Sequence, residues 1–184
     1  MSNSLLVTAA KPKKGGAIYT APLGTTLPLD AVESLDAAFK SLGYVSEDGL
    51  TNENSITSEN IKAWGGDVVN SVQTESSDSF TYKLIEGLNI EVLKEIYGAK
   101  NVSGTLETGI TINVNSADKP EHVIVIDMVL KGGNLKRIVL PVAKITAIDP
   151  ITYKDNENVG YGVTVQALPG ADGDTHKEYI AKGA

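Results

Sequence analysis

Two histidines, His122 and His176, are the only imidazoles in the chain, and there is no cysteine. His122 opens an apolar run and His176 sits in the C-terminal tail, so no His lies four residues from another as a zinc-binding helix would need. No G-x-S-x-G elbow, Walker loop or G-x-G-x-x-G is present. The "GYG" at 160–162 precedes a strand-like run, whereas a phosphate-binding glycine loop opens a helix. "DNENVG" at 155–160 and "ADGDTH" at 171–176 have the look of calcium loops. In the first, Val159 takes a ligand position and Gln166 stands where the bidentate glutamate belongs. Asn101-Val-Ser is a glycosylation sequon, which matters only in a secreted protein. Carboxylates such as Glu75 and Asp78 gain no acid–base role from spacing alone. The residues that could do chemistry are not arranged to do it, so the expectation is a protein with no catalytic residues, no metal and no cofactor.

The chain is 184 residues long, about one domain. Hydrophobic residues make up 41% and charged residues 21%, as in a folded soluble protein. Abundant Val, Ile and Thr and 18 glycines favour β structure with many turns. The formal net charge of −7 disfavours binding a phosphate backbone, which needs Lys and Arg to release counterions. "KPKK" at 11–14 holds three positives, and a solvated arm is favoured over a nucleic-acid patch. The N-terminus shows no signal-peptide pattern and no run reaches membrane-span length, so synthesis and folding in a cytoplasm are expected.

The elements that would position these residues read as follows. Residues 1–28 form an irregular arm with turns near Pro22 and Pro28. "LDAVESLDAAFKSLG" at 29–43 predicts an amphipathic helix with Val32, Leu35, Phe39 and Leu42 on one stripe and Asp30 and Glu33 as a capping pair. "GYVSEDGLTNENSITSENIK" at 43–62 starts as strand and becomes a polar loop with isolated Leu50 and Ile56; a mobile loop and an interaction loop both fit. "AWGGDVVNSVQTESSDSFTYKLIE" at 63–86 reads as strand although 73–79 carry no apolar side chain. It is either a hairpin with "ESSD" at its tip or one long ribbon with a bulge. In both versions Val68, Val72, Phe80, Tyr82 and Leu84 face a core, and Ser71, Gln73, Ser79, Thr81 and Lys83 face water.

"NIEVLKEIYG" predicts a short helix capped by Asn89, with Ile90, Leu93, Ile96 and Tyr97 inward and Gly98 at its end. "LETGITINVN" at 106–115 alternates as a half-buried strand, and "EHVIVIDMVL" at 121–130 is apolar on both faces, hence central. Gly132-Gly133 predicts a two-residue hairpin placing Leu130 opposite Leu135 and Asp127 diagonal to Lys136. Pro141 demands an edge or a bulge in the returning strand. "GYGVTVQAL" follows with Tyr161, Val163 and Val165 inward, and a last strand is predicted at 177–181. The fold class is mainly β: an antiparallel β-sandwich or flattened barrel with one or two short flanking α-helices.

The stretch "WGGDVVNSVQTESSDSFTYKLIEGLNIEVLKEIYGAKNV" at 64–102 resembles the central part of the tail tube (major tail) proteins of long, non-contractile tailed phages. The preceding "APLGTTLP…LDAAFKSLGYVSEDGLT" at 21–51 resembles the same family's N-terminal part; together the likeness spans about 5–168 and leaves 169–184 without a counterpart. What the resemblance implies is a single tail-tube domain with an N-terminal arm at 1–18, an inter-ring loop at about 43–62 and a C-terminal arm at 169–184. Rings of about six copies stack into a tube. The bore holds the tape-measure protein and then passes DNA without binding it, tail-tip and terminator proteins close the ends, and there is no reaction. The place would be the virion tail, assembled in a bacterial cytoplasm. On this reading Ser71, Gln73, Glu75, Asp78, Ser79, Thr81 and Lys83 are candidates for the bore wall. Glu47, Asp48, Leu50, Asn52, Glu53, Ile56 and Glu59 are candidates for the inter-ring loop. Two alternatives stand beside it: an inner-tube subunit of a contractile or secretion-type injection machine, and a small β-sandwich adhesin or capsid decoration module.

Overall fold

The computed structural model describes residues 2–183. In chain order the strands are β1 (Lys11–Pro12), β2 (Ile18–Pro22), β3 (Lys40–Ser41), β4 (Val45–Lys62) and β5 (Val68–Leu84). Helix α1 (Ile90–Tyr97) follows, then β6 (Val102–Ser103), β7 (Thr111–Ile112), β8 (His122–Val129), β9 (Leu135–Ile148), β10 (Tyr161–Leu168) and β11 (Lys177–Ala181). One antiparallel sheet has the order β3-β2-β8-β9-β10-β5-β4, with β1 added to β8 and β11 to β9; β6 and β7 pair separately. The sheet curls, since Ile18 of β2 and Phe80 of β5 lie in one buried cluster although three strands separate theirs. The result is a β-sandwich or flattened barrel, the fold class expected.

β8 is central and buried on both faces, as its unbroken apolar run requires. Ile124 and Ile126 enter the main core with α1, while Val123 and Val125 meet Val139 and Phe39 on the opposite face. Pro141 lies where the β8–β9 register shifts, so its missing N–H costs no ladder bond. α1 forms as expected. The Asn89 side chain accepts from the Glu91 N–H at 3.0 Å, and Gly98, at φ 92°, ends the helix by donating its N–H to Lys94 O.

In the body four expectations fail, the first at residues 1–28, where β2 (Ile18–Pro22) is paired between β3 and β8 inside the sheet and is not part of an irregular arm. No helix forms at 29–43. The capping pair does form, with Asp30 accepting from the Val32 and Glu33 N–H groups and Glu33 accepting from the Leu29 N–H. The carbonyls of Asp30 and Glu33, however, which a helix would give to N–H groups four residues on, accept from the Arg137 guanidinium at 3.0 and 2.8 Å. The segment is drawn over the sheet as a looped cover, with Phe39 buried and Val32 exposed.

The alternating run at 106–115 yields only β7. Thr105 and Thr108 bond each other's backbone N–H groups, and these local bonds replace a ladder. A Cβ at Gly104 would lie 1.9 Å from Gly109 O, so this tight turn depends on glycine. Leu106 and Val114 stay exposed.

The turn at 130–134 is longer than a two-residue hairpin, closed by the Leu130 N–H to Asn134 O bond at 2.7 Å. Val129 therefore pairs with Leu135 and Asp127 with Arg137, one residue away from the expected register. Arg137 and Asp127 form a buried two-pronged ion pair, Nε to Oδ1 at 2.6 Å and Nη2 to Oδ2 at 2.9 Å. Lys13, just past β1, adds a third contact to Asp127 at 3.1 Å. Burial pushes the Asp127 carboxyl up, but Arg137 and Lys13 more than offset this and hold it below its ordinary value. Its stabilising effect is therefore present above the unfolded carboxylate pKa and is lost as pH falls through the lower folded value. Asp127→Ala strands a buried guanidinium and is expected to cost about 3–5 kcal/mol in a denaturant unfolding curve; a loss below 1 kcal/mol would show the pair to be incidental.

Candidate assembly surface

Strands β4 and β5 form one hairpin, paired from Val45↔Leu84 to Lys62↔Val68. Residues 45–62 are thus a strand and not a loop, and 73–79 are the middle of one bulged ribbon and not a hairpin tip. The ribbon has two regimes. At its root Phe80, Tyr82 and Leu84 are buried, and β10 pairs with β5 from Tyr161↔Leu84 to Gln166↔Ser79. The ladder to β10 ends at Ser79, and every residue of β4 and β5 outward from Asn54 and Ser77 is exposed. Nine residues of β4 thus stand off the body, a reach of about 30 Å.

The polar composition follows from this geometry. A two-stranded ribbon pairs the inward-facing half of its peptide groups in its own ladder, leaves the outward half to water or another strand, and has no core to fill, so polar side chains serve on both faces. The tip is a tight turn closed by the Ala63 N–H to Asp67 O bond at 2.8 Å, with Gly65 and Gly66 at φ 110° and 101°. Trp64, the only tryptophan in the chain, sits in this turn fully exposed.

The β4–β5 register shifts between Thr57 and Ser58, leaving Thr74 as an extra residue on β5. This bulge inverts the alternation outward of it. Glu75, Ser79, Thr81 and Lys83 share the face turned away from the core. Gln73 and Ser71 pair with Ser58 and Asn60, and so lie on the opposite face, that of Phe80 and Tyr82. Val68 and Val72 are exposed and not core residues, because no other layer reaches that far.

Asp78 is the clearest departure from a bore-wall position, being buried at 3% exposure. Its carboxylate accepts from Asn52 Nδ2 at 2.8 Å and Thr175 Oγ1 at 2.6 Å, and bonds His176 Nδ1. Burial pushes its pKa up, and the hydrogen bonds from Thr175, Asn52 and His176 bring it below the ordinary value. The His176 ring also meets Phe80 edge-on at 5.3 Å. The C-terminal segment is thereby tied to the point where the ribbon leaves the body, a contact sequence spacing could not disclose across 98 residues.

Of the expected inter-ring residues, Leu50 packs against the core opposite Tyr82, and Asn52 is spent on Asp78 and Ser79 O. Both root the ribbon in its own subunit. Glu47 and Asp48 lie within the register shift between Val45 and Leu50 near the root, while Glu53, Ile56 and Glu59 are exposed along the strand. Val68, Val69, Ile61 and Trp64 are further exposed apolar residues of the ribbon, concentrated near the tip.

A second cluster joins α1, β8 and Tyr82 of β5. His122 Nε2 approaches Glu95 Oε1 of α1 to 2.8 Å as an ion pair, although not in hydrogen-bond alignment. His122 Nδ1 lies 3.2 Å from Pro120 O, and donating there while facing a carboxylate at Nε2 favours the doubly protonated ring. The Tyr82 hydroxyl is buried without a hydrogen-bond partner, and burial together with the Glu95 charge raises its pKa well above the usual phenol value. Among the described residues no group of three or more His, Asp or Glu side chains could hold a metal ion, and no helix is long and apolar enough to cross a membrane.

A curled antiparallel sheet with one long ribbon standing off it defines a β-structural subunit, whose informative surface is an extension and not a cleft. The family described as phage tail tube protein has a model that matches residues 2–184, and the chain belongs to that family. It is therefore a structural component of a bacteriophage tail. No curated protein matches the chain.

Burial alone would lower the His122 pKa; Glu95 and the Pro120 carbonyl reverse this and raise it above 6.5. The stabilisation is expected to be full below about pH 6.5 and to fade as pH rises through the folded value. A ring-proton NMR titration checks it: His122 should titrate above 6.5 and fall in Glu95→Gln, and a value below 6.5 would contradict the pairing.

Proposed function

We propose that this subunit closes into rings of about six copies which stack into a continuous tube, with the ribbon of each subunit reaching the next ring. The observation that carries the reading is the ribbon itself, about 30 Å of paired strand that buries nothing in its own chain. A two-stranded hairpin of this kind is marginal alone, and a partner surface would complete it. Contacts that advance along an axis generate an open polymer, which is what a tube requires.

The outer edge of β4 supports the ring contact. β4 ends the sheet order, so one side of an 18-residue strand has no partner among the described residues. It holds no proline, and an exposed edge of that length is a template for another strand. The face bearing Glu75, Ser79, Thr81 and Lys83 is the candidate bore wall. Ser71 and Gln73, across the bulge, are assigned to contacts and not to that wall. The ribbon from 53 to 76 carries four acidic residues against one lysine, and the whole chain is acidic. An acidic wall repels phosphates and lets DNA pass without sticking. The bore would hold the tape-measure protein during assembly in the bacterial cytoplasm, and tail-tip and terminator proteins would meet the two ends. The chain has no reaction to perform in this role.

The test removes the ribbon without touching the core. Ser55 pairs with Ser77, so replacing residues 56–76 by Asn-Gly leaves a two-residue hairpin between them. Every deleted residue is exposed. The variant is expected to keep its unfolding midpoint yet form no tubes under negative-stain microscopy. Tubes of normal length from this variant would end the stacking reading.

A further inference from the structure

Trp64 stands fully exposed at the ribbon's tip, where its own chain offers it nothing to pack on. Tryptophan is the residue most enriched at binding hot spots, and one buried aromatic ring removes about 150–250 Å² from water. A cavity of about 620 Å³ lies beside α1, walled by Pro22, Leu23, Ala99, Pro120 and Ile145. Glu95 and His122 also line it. The Glu95 side chain is only 7% exposed, with its Oε1 turned to His122 Nε2 at 2.8 Å, so the cavity wall a partner can reach is mainly apolar.

The two features sit at opposite ends of the subunit. Ser79 pairs with Gln166, which pairs with Lys144, so the root of the ribbon is level with Lys144 on β9. β5 runs in the same sense as β9, and the free ribbon, at lower residue numbers, therefore heads toward the Leu135 end. The cavity lies at the other end, with Ile145 in its wall and with Pro22 and His122 paired level with Ala143. A projection and a recess at opposite ends are what head-to-tail stacking needs. Charge also matches. Lys40 and Lys119 line the cavity without an acidic ion-pair partner among the described residues and are opposite in sign to Asp67, while Glu121 of the same lining is opposite in sign to Lys62, so each end carries both signs.

We propose that Trp64 of one copy inserts into the cavity beside α1 of a second copy in the next ring. The indole packs on the apolar wall of Pro22, Leu23, Pro120 and Ile145, and Asp67 faces Lys40 and Lys119. This assignment of the receiving surface rests on the stacking reading above.

Trp64 supplies its own reporter, being the sole tryptophan. As the purified full-length protein forms tubes, its emission is expected to shift to the blue and most acrylamide quenching to be lost. Absence of cysteine allows a second readout. Trp64→Cys with Ala99→Cys, both at exposed positions, should give a reducible ladder longer than dimers in assembled tubes. Trp64→Cys with Ile180→Cys, near the far end of β9, should not. If tubes form and the ribbon-excised variant cannot form them, yet Trp64 stays fully quenchable and no Ala99 ladder appears, the socket is wrong while stacking stands. If the ribbon-excised variant assembles, stacking fails and the socket with it. Should the cysteine pair block assembly, the emission of the unmodified protein decides alone.

Discussion

Peptide groups must be hydrogen-bonded wherever they are, and this constraint explains how a strand can project with nothing to bury. The β4–β5 ladder meets it for the inward-facing half of the ribbon's peptide groups, and water meets it for the outward half until another strand does. Once the ladder exists, side chains on both faces are released from packing and can be Ser, Thr, Asn and Glu. What the ladder does not give is rigidity at the root. That comes from Phe80, Tyr82 and Leu84 in the core, from Leu50 against them, and from Asp78, whose carboxylate gathers Asn52 of the ribbon and Thr175 and His176 of the tail. The ribbon's direction is thus fixed by packing on one side and by a buried hydrogen-bond cluster on the other.

The body has its own knot at Arg137. Its guanidinium takes both oxygens of Asp127 from the neighbouring strand and the carbonyls of Asp30 and Glu33 from the cover segment, while Lys13 brings in the N-terminal arm. One side chain thereby satisfies groups from β8 and from a segment more than a hundred residues earlier. This is an expensive way to be buried unless every partner is in place, which is why losing one partner should cost more than the pair itself contributes. The same knot leaves the face of β8 opposite the main core covered without a helix.

Much of the sandwich could be read from residues alone. β8 and β10 were visible because apolar alternation or an unbroken apolar run has few other uses, and α1 because Asn89 and Gly98 bracket a clean stripe. The cover at 29–43 misled because its local signals are those of a helix: Asp30 and Glu33 bond as a cap does, and only the remote Arg137 diverts the carbonyls. The ribbon was half legible. Its polarity said that it buries nothing, but β4 carries no alternation and looked like a loop, and the bulge at Thr74, which moves Ser71 and Gln73 to the other face, has no glycine to announce it. Asp78 looked like a wall residue because neither Thr175 nor His176 is near it in sequence. The family likeness rested on the order of segments, and it is the family that the chain belongs to.

The central claim is that the ribbon bridges successive rings, and a side-chain-resolution electron cryo-microscopy reconstruction of the assembled tube tests it most directly. The expected map shows residues 56–76 crossing the gap between rings, with the tip in contact with the next subunit. A map in which the ribbon lies folded against its own ring, while other surfaces make the stack, would contradict the account.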